Sequence, residues 1–254
     1  MRFLNPKTDY AFKKIFGSDH SHEILVSFLN AILGLSSPYC IAEVEILDPY
    51  QAPRIQGMKE SFVDVRARDE NGKNYIIEMQ VLNMQGFEQR VLYNACKAYA
   101  NQLGSSEAYH LLTEVIALTI TDFVMFKDDV GIINTFKMRS SKGAVYHDDL
   151  ELVFVELPKF TKKEQQLSTD QDRWLYFLKK ARDLKMIPPV LQENPSIVRA
   201  FEIADYSNMT REEEDTLQQR VFFTESWNNV RQKALSDGWE QGMERGMDEQ
   251  EQLS

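Results

Sequence analysis

Residues 61–82 read SFVDVRARDENGKNYIIEMQVL, and this stretch decides the fold of the chain. Its two arms are rich in β-branched and aromatic residues that alternate in places with polar ones, and its centre, residues 69–73, has the composition of a turn. The pattern therefore predicts a β-hairpin. A loop of residues 70–72 would place Gly72 in the left-handed conformation that closes a type I turn with a bulge. Asp69 would then pair with Lys73.

Counting outward from that turn sets the register of the hairpin. Asp64 falls opposite Glu78, and one face of the hairpin becomes continuously apolar. A shorter loop of residues 71–72 would place Val65 opposite Glu78 and interrupt that face, so turn and pattern favour the first register. The predicted apolar pairs are Val63 with Met79, Val65 with Ile77, and Ala67 with Tyr75.

The opposite face of the predicted hairpin carries Asp64, Glu78 and Gln80. Side chains directly opposite each other on paired strands have Cβ atoms about 5 Å apart. Two carboxylates at that distance repel each other unless one is protonated or a cation lies between them. Oxygen ligands of this kind suit Mg²⁺ or Mn²⁺. The alternative is a solvent-exposed face on which two acids happen to meet.

The surrounding sequence resembles a known family. An acid on one strand, then acid-x-Lys or a variant on the next, then a helix is the active-site pattern of PD-(D/E)XK nucleases. The chain resembles the recombination-promoting nuclease and transposase family of that superfamily over roughly residues 1–160, and more weakly beyond. Gln80 stands where the parent signature has Lys. The matching blocks are NPKTDYAFKKIFG (5–17), FVDV (62–65), IEMQ (77–80), Phe87 with Arg90 and Tyr93, and VELPKF (155–160).

The resemblance implies a Mg²⁺-dependent DNA endonuclease associated with recombination or mobile elements. Asp64 and Glu78, helped by the backbone carbonyl of Met79, would hold Mg²⁺ or Mn²⁺. The metal would polarise the phosphate and activate a water. Gln80 could orient that water through its amide but cannot supply positive charge.

A helix predicted over residues 86–103 offers a replacement for the missing lysine. Arg90, Asn94, Lys97 and Asn101 recur on one of its faces. Arg90 is the first candidate, because a guanidinium can clamp a phosphate and share transition-state charge. Lys97 and Lys13 are next, although a solvated helix face is the simpler interpretation of Lys97 and Asn101. Tyr93 is expected to pack or to orient Arg90.

The opening block supplies two further accessory candidates. Asp9 could reach the site as a third acid, could position its helix, or could cap a helix that begins at Tyr10. Lys13 and Lys14 are either phosphate contacts or a solvated pair.

Charge and cysteine content limit the function classes. The formal net charge of −10 is unusual for a DNA-binding protein. Residues 1–104 are nearly neutral, with 11 basic and 12 acidic side chains, so the excess acid lies in the remainder. Two cysteines without a CxxC motif favour a reducing compartment. No apolar stretch is long enough for a membrane span, and a cytoplasmic location is expected.

The pattern of elements predicts an α/β nuclease-like domain over residues 1–160, with a mixed central sheet flanked by helices. A helical extension packed on this core is expected over residues 161–236. The acidic tail 237–254 has Gly at every fourth position from Gly238 to Gly246, and Gly is unfavourable in an isolated helix, so a flexible end is expected. The predicted helices are 5–33 with a break at 17–19, 86–103, 172–184, 196–206 and 211–234, and the predicted strands outside the hairpin are 41–47, 115–120 and 152–155.

Two other functions compete with DNA cleavage. An interaction or regulatory protein that keeps the nuclease fold without activity would explain the net acidity and the absent motif lysine. The same site could also hydrolyse RNA or another phosphodiester. A homodimer and a helical partner for the tail stay open as further partners.

Overall fold

A computed structural model describes residues 1–51, 60–128 and 131–215, together with residues 218 and 233. The chain divides into two compact units, Met1–Asn208 and Met209–Ser254. In the second unit, residues 211–215 are helical. Most of the predicted helix 211–234 and all of the tail 237–254 lie outside the described residues.

The predicted helices and strands of the first unit follow one another in the predicted order, and the structure adds further strands. Among the described residues, no helix is long and apolar enough to cross a membrane. The elements are α1 (Asp9–Phe16), α2 (His22–Ile32), β1 (Val44–Leu47), β2 (Tyr50–Gln51), β3 (Ser61–Phe62), β4 (Val65–Asp69), β5 (Asn74–Gln80), α3 (Phe87–Ala100), β6 (Val115–Thr121), β7 (Ile133–Arg139), β8 (Val145–Glu156), α4 (Asp170–Lys180), α5 (Pro189–Gln192) and α6 (Pro195–Ala204).

Six of the strands form one mixed sheet in the order β1-β4-β5-β6-β8-β7. Three adjacent strands, β5, β6 and β8, are parallel to one another, and the other neighbouring pairs are antiparallel. Every residue of β6 is buried, as expected of a strand covered on both faces. The predicted class, a mixed α/β sheet flanked by helices, is confirmed.

The hairpin β4–β5 has the predicted register and turn. Val65 pairs with Ile77 and Ala67 with Tyr75. The N–H of Asp69 donates to the carbonyl of Lys73 over 3.0 Å, and Gly72 has a positive φ of 81°. A side chain at that position would be strained, and the turn therefore fixes the register.

One pair of the predicted apolar face is wrong. The chain bends at Asp64, and β4 begins only at Val65. Val63 consequently turns to the other face of the sheet, where it packs with Ile76 and with Ala95 of α3. The N–H of Val63 bonds to the carbonyl of Pro49 rather than to β5. The bend separates Asp64 from the regular ladder and places it where the two strands diverge.

Helices cover the sheet on both faces. α3 lies on the face of Ile76, through Ala95 and Ala98. α1 approaches the face of Val65, and a Cβ added to Gly17 would meet the Val65 side chain at 3.3 Å. α1 and α3 therefore approach the hairpin from opposite sides.

The helices after β8 pack against α1 and α2 through aromatic rings. Trp174 of α4 lies 5.8 Å from Phe16 and 5.5 Å from Phe28, measured between ring centroids. Phe177 continues the contacts to Phe201 of α6, at 4.8 Å. The boundary at residue 160 stays a prediction.

The sequence pattern did not predict several strands or their limits. β2 and β3 form a separate pair, β7 is an edge strand, and β8 begins at Val145 rather than at residue 152. The first four residues of β8, residues 145–148, are exposed, and they carry no apolar alternation that would predict a strand.

Candidate active site

Asp64 occupies the bend between β3 and β4, and both of its carboxylate oxygens have partners. Oδ2 accepts the N–H of Met79 over 2.8 Å. Oδ1 lies 3.4 Å from the Nζ of Lys13. Burial raises the pKa of Asp64, and the Met79 hydrogen bond and the Lys13 ammonium oppose that rise. The orientation of this carboxylate is therefore set by β5 on one side and α1 on the other.

Glu78 lies on β5 and faces α3. Its Oε1 accepts a hydrogen bond of 2.7 Å from the Nδ2 of Asn94, and its Oε2 lies 3.4 Å from the Nη2 of Arg90. Only 8% of the residue is exposed. Burial raises the pKa of Glu78, although the Asn94 hydrogen bond and the charges of Arg90 and Lys13 oppose the rise. The charge of Glu78 is thus held inside the protein by one amide and nearby cations.

Gln80 and Arg90 contact each other directly. The Nη2 of Arg90 donates to the Oε1 of Gln80 over 2.6 Å, and the Nε2 of Gln80 donates to the carbonyl of Leu82. One donor and one acceptor position of the Gln80 amide are therefore used, and one of each remains. The Arg90 side chain is 44% exposed, so its guanidinium can also reach a ligand.

Asp9 reaches this cluster through Lys13. The Nζ of Lys13 lies 2.5 Å from Asp9, one helical turn away, as well as 3.4 Å from Asp64. The prediction that Asp9 caps α1 is wrong, because the Thr8 hydroxyl accepts the N–H of Ala11 and Asp9 is the first helical residue. Lys13 is partly exposed and forms ion pairs with both Asp9 and Asp64.

Lys97 and Tyr93 lie together on α3. Lys97 is only 7% exposed, so the interpretation of a solvated residue is wrong. Its Nζ donates to the carbonyl of Gln51 over 2.7 Å and to the Ser61 hydroxyl over 3.2 Å, and it lies 5.8 Å from the centre of the Tyr93 ring. These contacts attach the short β2–β3 pair to the helix.

Sequence reasoning did not assign Asn94 to the site. It lies one turn after Arg90 on α3, is buried, and donates to Glu78. The recurrence of polar residues on one face of this helix was the available signal. Sequence alone could not show which member of the stripe touches the acid, because that depends on how α3 lies across the sheet.

The loop of residues 122–126 directly follows β6 and lies beside Gln80 at the end of β5. The N–H of Asp122 donates to the Gln80 carbonyl over 3.0 Å, and the Asp122 carboxylate accepts the Nζ of Lys7 over 2.7 Å. The buried Glu156 carboxylate accepts the N–H groups of Met125 and Phe126. This support for the site was also absent from the prediction.

The donors at this site fit a small divalent cation. Mg²⁺ commonly binds one or two carboxylates and keeps several waters. Asp64 and Glu78 offer that number, and among the described residues no group of three or more His, Cys, Asp or Glu side chains could hold a metal. The prediction that the Met79 carbonyl is a ligand stays open, because the contact seen at Asp64 is made by the Met79 N–H.

Comparison with known proteins identifies the family. Neither the curated proteins nor the solved structures give a match. The family described as PD-(D/E)XK nuclease family transposase matches residues 6–234, which include α1, the hairpin with Asp64 and Glu78, α3, and the helices after β8. On this evidence the chain belongs to the PD-(D/E)XK nuclease family transposases.

Proposed function

We propose that the protein is a Mg²⁺-dependent DNA endonuclease that acts in recombination or in the movement of mobile elements. The family supports a nuclease with DNA as substrate and an association with mobile elements. The observation that carries the proposal is a pair of carboxylates, the partly buried Asp64 and the buried Glu78, each with a cation from a different helix.

The desolvated carboxylates of Asp64 and Glu78 suggest a functional site rather than a structural role. Desolvation of a carboxylate costs free energy that hydrogen bonds and ion pairs only partly recover. Perturbed carboxylates beside cations are typical of catalytic sites. Asp64 and Glu78 both have a raised pKa and a cation beside them, and both lie within the residues that the family matches.

Each residue has a definite role in the proposed reaction. Asp64 and Glu78 would hold the cation, and the Asn94 hydrogen bond fixes the orientation of the Glu78 carboxylate. When bound, Mg²⁺ would supply Lewis acidity that polarises the phosphate and acidifies a nearby water. Arg90 contacts the phosphate and shares the charge that develops there, and Gln80 positions Arg90 and the attacking water.

A plasmid-nicking assay tests the proposal. The wild type should convert supercoiled plasmid to open-circle or linear DNA with Mg²⁺ and should stop when EDTA is added. Glu78→Ala should abolish cleavage, because one of two metal ligands is lost. Asp64→Asn should weaken Mn²⁺ binding in calorimetry, since it removes one anionic ligand.

Arg90 and Gln80 separate charge stabilisation from metal binding. Arg90→Ala should lower kcat by roughly 10²–10³ while Mn²⁺ still binds, the usual effect of losing one electrostatic stabiliser. Gln80→Lys should keep or raise activity, because it restores the lysine of the parent signature. Equal activity of Arg90→Ala and wild type would show that another side chain supplies the positive charge.

The assay also distinguishes the competing functions. A nuclease-fold interaction protein would show no metal-dependent cleavage, and Asp64→Asn and Glu78→Ala would then change nothing. RNA cleavage in place of DNA cleavage would keep the site and change the substrate. Single-stranded and double-stranded forms of both polymers therefore belong in the same experiment.

A further inference from the structure

The structure shows the partners of Lys13, which the sequence did not predict. Its ammonium lies between two carboxylates, 2.5 Å from Asp9 and 3.4 Å from Asp64. Asp64 is one of the two proposed metal ligands, whereas Asp9 is on the same helix as Lys13 and about half exposed. Lys13 therefore has one partner inside the site and one at its edge.

We infer that Lys13 is a tethered cation that competes with the metal for Asp64 and then contacts the scissile phosphate, with Asp9 as its tether. This inference rests on the proposed function. It assigns Lys13 a catalytic contact and Asp9 a positioning role, in place of the third metal acid that the sequence left open.

The geometry of Asp64 makes the competition direct. Its Oδ2 accepts the Met79 N–H, which fixes the carboxylate and turns Oδ1 toward Lys13. A cation that binds Asp64 on this side meets the Lys13 ammonium within a few ångströms. Like charges at such distances repel measurably even in water. Lys13 therefore lowers the metal affinity of the site.

The ion pair with Asp9 keeps Lys13 near the site after the metal has displaced it from Asp64. Lys13 and Asp9 are an i, i+4 pair on α1, a spacing at which the two side chains are neighbours. The Lys13 side chain is 38% exposed and can turn outward. Asp9 then keeps the ammonium at the mouth of the site, where a phosphate oxygen would arrive.

The charges of the cluster agree with this arrangement. The cluster contains three carboxylates and two cations, so its formal net charge is −1. The carboxylates are Asp9, Asp64 and Glu78, and the cations are Lys13 and Arg90. A divalent cation would leave it with a single positive charge, which complements one phosphodiester. Lys13 of α1 and Arg90 of α3 would then both contact the phosphate.

Calorimetry with Mn²⁺ and plasmid cleavage together test the inference. Lys13→Met keeps the length of the side chain and removes its charge. We expect Mn²⁺ affinity to rise about tenfold, because a positive charge beside a ligand is lost. The cleavage rate should fall by about 10²-fold, because a phosphate contact is lost. Lys13→Arg should restore the wild-type Mn²⁺ affinity.

Lys14 provides the matched control. It is the next residue on α1, and its Nζ lies 5.9 Å from the centre of the Tyr10 ring. Lys14→Met removes the same charge from the same helix and should change neither the Mn²⁺ affinity nor the cleavage rate. Comparable effects at both lysines would show a general charge effect and overturn the inference.

A double-mutant cycle tests the tether. Asp9→Asn should lower the Mn²⁺ affinity in the wild-type background, because the released Lys13 spends more time on Asp64. In the Lys13→Met background the same change should have almost no effect. An equal loss in both backgrounds would make Asp9 a metal ligand and overturn its positioning role.

The outcomes separate this inference from the proposed function. If the wild type cleaves DNA but Lys13→Met binds Mn²⁺ no more tightly, the competition is wrong and the nuclease stands. If the wild type binds Mn²⁺ without cleaving, a rise in affinity in Lys13→Met still supports the competition at Asp64. If the wild type binds no Mn²⁺, both proposals are wrong.

Discussion

Burial raises the pKa of Asp64 and of Glu78, and in both cases a hydrogen bond and a cation oppose the rise. A raised pKa means that the ionised carboxylate is less stable in the folded protein than in water. The negative charge of each acid is therefore less stable in the folded protein than in the unfolded chain. Such a cost is expected of residues that bind a ligand rather than of residues that hold the fold together.

The first prediction concerns this cost at Glu78. Glu78→Gln keeps the shape and the acceptor for Asn94 but removes the buried charge. Because the folded-state pKa of Glu78 is raised, the destabilising effect of its charge is absent below the ordinary carboxylate pKa of about 4 and grows as pH rises through the folded-state pKa. We expect Glu78→Gln to raise the Tm at pH 7.5 by roughly 2–4 °C, the response of a domain this size to about 1 kcal/mol.

Thermal unfolding without divalent ions checks this expectation. The gain should shrink as pH is lowered and vanish below about pH 4, where the wild-type side chain is protonated in both states. Glu88→Gln, an exposed acid in the first turn of α3, should leave the Tm almost unchanged. A lower Tm for Glu78→Gln at pH 7.5 would show that the ion pair with Arg90 outweighs desolvation.

Individual site residues were predictable only where the relevant contacts are local. Glu78 could be found because the turn fixes the hairpin register up to the pair of Val65 with Ile77. The predicted pairing of Asp64 with Glu78 is not part of that ladder, because the chain bends at Asp64. The partners of these acids come from α1 and α3, whose placement depends on long-range packing. Sequence reasoning therefore named Arg90 and Lys13 as candidate cations but could not say which acid each would contact.

At the scale of elements, the same distinction between local and long-range information applies. The hairpin register follows from Gly72 and from the flanking residues. β7 pairs with β8 across the short connection of residues 140–144, and register shifts interrupt the ladder at Met138. Neither strand end carries a strong apolar alternation, so tertiary contacts rather than local pattern set their limits.

The end of β8 shows how an element supports the site without touching it. Glu156 is fully buried, and its carboxylate accepts the N–H groups of Met125 and Phe126, the amide of Asn134 and the Nζ of Lys159. It thus ties the loop at residues 122–126 to the sheet. The same loop bonds to Gln80 through Asp122.

The second prediction follows from that network. Glu156→Gln should destabilise the protein by about 3–5 kcal/mol, because the partly buried Lys159 ammonium loses the fully buried carboxylate that it contacts. In the double variant Glu156→Gln with Lys159→Met, the loss should be clearly smaller than the sum of the two single losses. Urea unfolding of the four proteins measures the coupling.

An exposed ion pair serves as the comparison. Lys180 and Asp183 lie 3.9 Å apart with about half or more of each side chain exposed. Asp183→Asn should change the free energy of unfolding by no more than about 0.5 kcal/mol. Additive losses in the Glu156 and Lys159 cycle would mean that the two residues act independently and would contradict the network.

At the scale of the whole molecule, the helices after β8 complete the core of the first unit. Trp174 is fully buried and packs against Phe16 and Phe28. Lys179 donates to the carbonyls of Leu157 and Phe160, which follow β8 directly. Two kinds of contact, apolar and polar, therefore join α4 to the part of the chain that contains the site.

The third prediction concerns fragments of the chain. A fragment of residues 1–208 should fold and unfold cooperatively, because it matches one compact unit. A fragment of residues 1–160 should not, since it would expose the aromatic side chains of α1 and α2 that α4 and α6 cover. Near-ultraviolet circular dichroism and urea unfolding of the two fragments distinguish these outcomes.

A point variant shows whether aromatic packing is the cause. In the 1–208 fragment, Trp174→Ala should cost about 3–5 kcal/mol, the range for truncating a large buried aromatic. Cooperative unfolding of residues 1–160 would make α4 to α6 an appendage of an independent nuclease core. The match of the family to residues 6–234 favours the opposite result, because it treats the helices after β8 and the strands that carry Asp64 and Glu78 as one inherited unit. If the prediction holds, the site depends on those helices, since they pack directly against α1, which carries Lys13 and Asp9.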